Sequence, residues 1–148
     1  MTPLDWGSTL GTNYVRISLT TKSRGVEHVP HRSGLNWGQR QGRNPNQAYL
    51  PVAVADQRTG FFPDVGENFL VECDDGSILQ FVRAQQNGKA LHIPGNNALL
   101  GEYFRNRLGI RPGDPVSIRH LIAYGRTNID IFKTADGRFF LDFRSLTV

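Results

Sequence analysis

Residues 68–84, NFLVECDDGSILQFVRA, decide the fold. Residues 68–73 alternate polar and apolar side chains, the period of a strand with one buried face. Asp74-Asp75-Gly76 supplies turn chemistry, and residues 77–84 resume as the returning strand of a hairpin. Short strands recur on both sides of it. Towards the N-terminus, residues 15–19 (VRISL) alternate in the same way. Residues 48–55 (AYLPVAVA) read as a further strand, in which Pro51 demands an edge or irregular position, and Phe61-Phe62-Pro63 begins a compact turn. Towards the C-terminus, residues 85–89 make a polar turn before a strand at 90–93. A helix is predicted over 98–108: Leu100, Phe104 and Leu108 repeat at helical spacing, Asn97 stands at the cap position, and Gly109 stops it. Leu99 and Tyr103 are assigned to the core with that stripe, and Arg105 and Arg107 to positions off it. Pro112-Gly113-Asp114 turns the chain into a strand at 116–118, and residues 120–124 form a helical turn. Residues 129–133 and 139–143 make a last hairpin around Ala135-Asp136-Gly137. Short strands with one or two helices, and no βαβ rhythm, predict a mainly β mixed barrel.

At 148 residues the chain is long enough to bury a core without metal or disulfide support, and it divides into a tail or linker remnant at 1–14 and one domain at 15–148. The single cysteine, Cys73, sits in the apolar alternation FLVEC and is expected to be buried and inert. The start MTPLDWGSTL lacks the basic and apolar segments of a signal peptide, and no apolar run reaches the length of a membrane span. A cytoplasmic protein with no membrane partner is the expectation. The formal net charge is +4 with a pI near 9.6, and its distribution matters more than its total. Between residues 20 and 49 stand Lys22, Arg24, Arg32, Arg40 and Arg43 with Glu27 as the one acid, while Asp64, Glu67, Glu72, Asp74 and Asp75 gather elsewhere.

Within that basic region, residues 33–49 (SGLNWGQRQGRNPNQAY) hold Arg40, Arg43 and the amides Asn36, Gln39, Gln41, Asn44, Asn46 and Gln47, with no acid. Arg reads guanine and Asn or Gln reads adenine in the major groove, because their paired groups match those base edges. The arm is too polar and Gly-rich to fold by itself, and so is expected to be ordered by a nucleic acid. Read in isolation, such a stretch is a solvated connection. Residues 85–89 repeat its chemistry with Gln85, Gln86, Asn87, Gly88 and Lys89, so that two amide- and base-rich loops leave one barrel.

No catalytic constellation can be assembled. His28 and His31 in HVPH are separated by a helix-breaking Pro30, and no Cys/His set has metal-ligand spacing. Asp74 and Asp75 are accounted for by turn geometry. The carboxylate–Glu–Lys nuclease pattern, the phospholipase D-type His-x-Lys pair, the P-loop and the dinucleotide fingerprint are all missing. No metal, cofactor or catalytic residue is assigned.

Several long stretches carry a family likeness: SGLNWGQR, NPNQAYLPV, FFPDVGENFLVECDDG, NGKALHIPGNNALLGEYFRNRLGI, LIAYGR and FLDF. From residue 15 to residue 143 the chain resembles the C-terminal DNA-recognition domain of restriction endonucleases whose N-terminal half is a phospholipase D-type nuclease. That domain belongs to the plant B-three DNA-binding pseudobarrel class. The resemblance implies a seven-stranded open barrel with short helices and two loops gripping duplex DNA, an N-arm within residues 32–47 and a C-arm around 85–89. It implies a double-stranded DNA partner with a short, GC-rich, asymmetric site; nothing in the sequence suggests a symmetric dimer surface, so a monomer is expected on DNA. The nuclease domain then lies in the same or a partner polypeptide, this stretch being an excised domain or a stand-alone relative that binds without cutting.

On this reading Arg40, Arg43, Asn44, Asn46 and Gln47, with Gln85, Gln86 and Asn87 from the second arm, contact bases. Lys22, Arg24, Arg32, Lys89 and Arg105 contact phosphate. Trp37 is assigned to packing, His92 to a half-buried rim position, and Arg126 and Arg144 to the surface. Three alternatives stand beside it. A single-strand or RNA-binding barrel would need aromatic stacking platforms. A small metal-dependent nuclease would need the missing constellation, and a protein-interaction domain would show no salt-dependent DNA binding.

Overall fold

The computed structural model describes residues 13–57, 59–84 and 89–146. In chain order its strands are β1 (Tyr14–Ser18), β2 (Thr21–Ser23), β3 (Val26–His28), β4 (Leu50–Pro51), β5 (Asn68–Cys73), β6 (Ile78–Ala84), β7 (Ala90–His92), β8 (Asn128–Lys133) and β9 (Phe139–Asp142). Seven of them make one sheet in the order β1-β8-β9-β5-β6-β7-β4, and β1 approaches β4, so that the sheet nearly closes into a barrel. All neighbours pair antiparallel except β5 and β9.

The opening hairpin forms as its alternation predicts. Phe69, Val71 and Cys73 point inward from β5, and Gly76 at φ 89° closes the turn to β6, with Val71 opposite Leu79 and Phe69 opposite Phe81. Phe69, Phe81 and Phe139 meet Phe61 and Phe62 in a ring cluster inside the barrel. The helix α2 (Ala98–Leu108) buries Leu100, Tyr103 and Phe104 against this core, and Gly109 ends it in the left-handed region at φ 72°. Cys73 is buried, and desolvation pushes its thiol pKa up to about 12, so it stays protonated and unreactive at neutral pH.

Several expectations need correction. Residues 48–55 are not one strand: β4 ends at Pro51 and the short helix α1 (Val54–Gln57) follows. Pro51 does lie on an edge, since β4 pairs only with β7. No strand forms at 116–118, because Ser117 and His120 build a capping box for the helix α3 (Ile118–Tyr124). The Asn97 side chain does not cap α2; it bonds His92 Nδ1 at 2.6 Å, while Asn96 Oδ1 accepts from the Ala98 amide. Leu99 is 45% exposed and leaves the core. Asp74 does more than shape a turn, accepting from both terminal nitrogens of Arg107 and from the Phe143 amide.

Candidate nucleic-acid interface

The basic region contains structure that polarity alone concealed. β2 and β3 form a free-standing ribbon outside the barrel sheet, joined by Arg24 and Gly25. Both have positive φ, 52° and 79°, the conformation that lets a two-residue turn match strand twist. Glycine or asparagine suits that position, and an arginine there costs about 1 kcal/mol. Lys22 and Arg24 are both exposed on the ribbon.

The ribbon and the root of the first arm border one cleft of about 260 Å³, lined by Thr21, Ser33, Gly34, Leu35, Tyr49 and Pro51 among others. From that root the chain makes a 3-10 turn at Gly34–Asn36, which buries Leu35 and Asn36. The Asn36 amide nitrogen donates to the carbonyls of Pro30 and Val116, at 2.9 and 2.8 Å, and its oxygen accepts from the Val116 amide at 2.8 Å. Gln39 donates to the carbonyls of Pro45 and Gly113. The Gly38 amide donates to the Gln47 carbonyl and the Gln47 amide to the Asn44 carbonyl, folding the arm back on itself. A side chain at Gly38 would meet the Asn44 carbonyl oxygen at 2.0 Å, so the fold-back admits only glycine. The arm is therefore tied to the domain and to itself by hydrogen bonds, although its composition suggests a segment too polar and Gly-rich to fold by itself.

Arg105 is the largest correction. The sequence reading places it at a phosphate, but it is 0% exposed. Its guanidinium donates to the carbonyls of Asp114 (2.7 Å), Gly101 (3.2 Å), Leu35 (3.4 Å) and Pro45 (3.4 Å), and to Asn36 Oδ1 (3.5 Å). Burial pulls its pKa below the ordinary value, with the Asp114 charge acting the other way. Asn46 is also withdrawn: it is buried, and its side-chain oxygen accepts from the Gly113 amide at 2.7 Å. Arg105 offers no polar group to a duplex in this conformation, and Asn46 has its side-chain oxygen committed to Gly113.

The remaining candidates do face outward. Arg32, Arg40, Arg43, Asn44 and Lys89 are exposed, and Gln47 is half-buried. Arg40 donates to the Arg32 carbonyl, which fixes its direction along the arm. Arg43 stacks 4.4 Å above the Trp37 ring and donates from Nε to Gln47 Oε1 at 2.7 Å. Among the described residues neither terminal nitrogen of Arg43 has a partner. Trp37 packs edge-on against Tyr49, so both of its contacts are internal. Gln85, Gln86 and Asn87 lie outside the described residues.

Arg126, expected at the surface, is 3% exposed and joins Asp130 and Asp142, which also bind Arg16 and Arg144. Among the described residues no group of three or more His, Cys, Asp or Glu is placed to hold a metal ion, and no helix is long and apolar enough to cross a membrane.

The nearly closed seven-stranded barrel and its acid-free basic arm fit a DNA-binding pseudobarrel of the B3-like class. The sequence model of the NgoFVII C-terminal B3-like DNA-binding domain matches residues 9–135, and the chain belongs to that family. No curated protein sequence matches the chain.

Proposed function

We propose that this chain is the sequence-specific recognition domain of a restriction endonuclease. It grips the major groove of double-stranded DNA with two loop arms and leaves cleavage to a nuclease domain in the same or a partner polypeptide. The observation that carries this reading is the outer edge of the first arm. There Arg40, Arg43 and Asn44 are held by a folded backbone and stand in solvent, and the segment contains no acid. Arg43 is the leading guanine reader, because stacking on Trp37 and the bond to Gln47 orient it while its terminal nitrogens remain available. Asn44 and Gln47 are the amide readers from this arm, with Gln85, Gln86 and Asn87 from the other. Lys22, Arg24, Arg32 and Lys89 contact phosphate and position the barrel.

The attachment of the two arms supports a two-jawed grip. The first arm enters β4 at Leu50, which pairs with Leu91, and the second leaves into β7 next to Pro51 and Val52. The described roots of the two arms thus attach to the same short β4–β7 pair. A single-strand reader would need open aromatic faces, and Arg43 covers the face of Trp37. The domain binds a short site as a monomer and cuts nothing by itself.

Selection of bound duplexes from a random pool tests the reading. Recovery of one short consensus is expected, and a pool that never enriches would remove sequence specificity. Cleavage of DNA by the purified chain in magnesium or manganese would overturn the non-catalytic assignment.

A further inference from the structure

The first arm and α2 meet more closely than any side chain permits. A Cβ on Gly101 would stand 1.7 Å from the Asn46 carbonyl oxygen, so the arm backbone lies directly on the helix there. Arg105, one turn further along α2, occupies the space beside that contact. Its guanidinium reaches Leu35 and Asn36 near the start of the arm and Pro45 near its end, while its other bonds go to Gly101 of the helix and Asp114 beyond it. One rigid planar group thus ties both ends of the arm to the helix. A chain segment whose ends are fixed has lost most of the freedom that binding would otherwise have to remove. Asn36 and Gln39 add bonds on the same concealed side, and Arg40, Arg43 and Asn44 occupy the other.

We infer that Arg105 is a positioning residue for DNA recognition: it holds the arm in one conformation before DNA arrives and never touches the duplex. The inference rests on the proposal that this arm contacts DNA. Its consequence is that this arm bears little ordering entropy on binding, because its backbone is pre-set.

Hydrogen exchange and binding titrations of the full chain test it together. In the free wild-type protein the amides of Gly38, Arg43 and Gln47, bonded to Gln47, Arg40 and Asn44, are expected to be protected. Arg105→Met and Arg105→Lys are expected to accelerate exchange of those amides while the β5–β6 amides stay protected. Affinity of the folded fraction for the selected duplex should fall about tenfold, the cost of re-ordering one or two side chains. The slope of affinity against salt should stay unchanged, because no phosphate contact is lost. Unprotected arm amides in the wild-type protein would overturn the inference, and that measurement needs no variant to fold. Unchanged affinity of the folded variants, or a salt slope reduced by about one phosphate, would overturn it as well. Failure of the wild-type protein to bind any duplex would instead defeat the functional proposal itself, with arm protection still measurable.

Discussion

Two regions of this molecule bury a guanidinium, and they satisfy it differently. Around Arg126, on β8 and β9, the partners are carboxylates: Asp130 at 2.9 Å and Asp142 at 3.2 Å, with Arg16 and Arg144 closing the cluster from outside. Around Arg105, at the root of the arm, the partners are backbone carbonyls and one amide oxygen. In the first cluster two carboxylates face three guanidiniums, so the buried Arg126 is ion-paired and the strands are clamped together. In the second, the guanidinium bonds no carboxylate among the described residues; Asp114 meets it through its backbone carbonyl, and the Asp114 charge acts on it without a direct ion pair. On the proposed reading, a carboxylate bonded directly under the arm would oppose phosphate, and among the described residues none bonds Arg105. Carbonyls hold the loop without introducing that repulsion.

The comparison breaks most visibly at Asp130. Asp130→Ala leaves Arg126 with one buried carboxylate where it had two, and stability should fall by about 3 kcal/mol in urea unfolding. DNA affinity of the folded fraction should not change. An affinity loss there would mean the two clusters are not separate in function. The next effect is at the arm: Arg43→Ala should cost roughly 1–3 kcal/mol on the selected duplex and little on a random one. Equal loss on both would demote Arg43 to a phosphate contact.

The ribbon sharpens the same contrast between stability and recognition. Arg24→Asn relieves a left-handed arginine and should stabilise the fold by about 1 kcal/mol. If Arg24 contacts phosphate as proposed, the substitution should also reduce the salt slope by about one. Thermal unfolding and salt titration read the two effects independently. The smallest effect is expected in acid. Burial works to raise the Asp142 pKa, but its bonds to Arg144 and the Arg126 charge outweigh burial and hold it below the ordinary value. A carboxyl with a depressed folded pKa contributes stability that is fully present above its unfolded value, about 3.9, and is lost as pH falls through the folded one. The strand cluster should therefore weaken below about pH 4, and Asp142→Asn should remove that part of the acid limb in urea titrations against pH.

The barrel was legible because its signal is local. Phe69, Val71 and Cys73 alternate within one strand, and Asp75-Gly76 makes a turn whatever surrounds it. The anchors were not legible, because their partners are distant: Arg105 bonds residues 35 and 36, and Asn46 bonds Gly113. One signal did exist. Gly101 sits in the middle of a helix, where glycine costs about 1 kcal/mol relative to alanine, which points to close backbone approach. Arg105 follows it by four residues on the same helical stripe. The ribbon was missed for another reason: Thr21–Ser23 and Val26–His28 bury almost nothing, so no apolar alternation marks them. Arg126 pairs with Asp130 four residues on, a spacing visible in the sequence, but its burial comes from the approach of Asp142.

The central claim is that a pre-folded arm reads base sequence in duplex DNA. Direct competition between the selected duplex and a random-sequence duplex of equal length, at physiological salt, tests it most directly. A preference of roughly a thousandfold or more for the selected duplex is the predicted result. Equal affinity for the two, or stronger binding to the corresponding single strand, would contradict it.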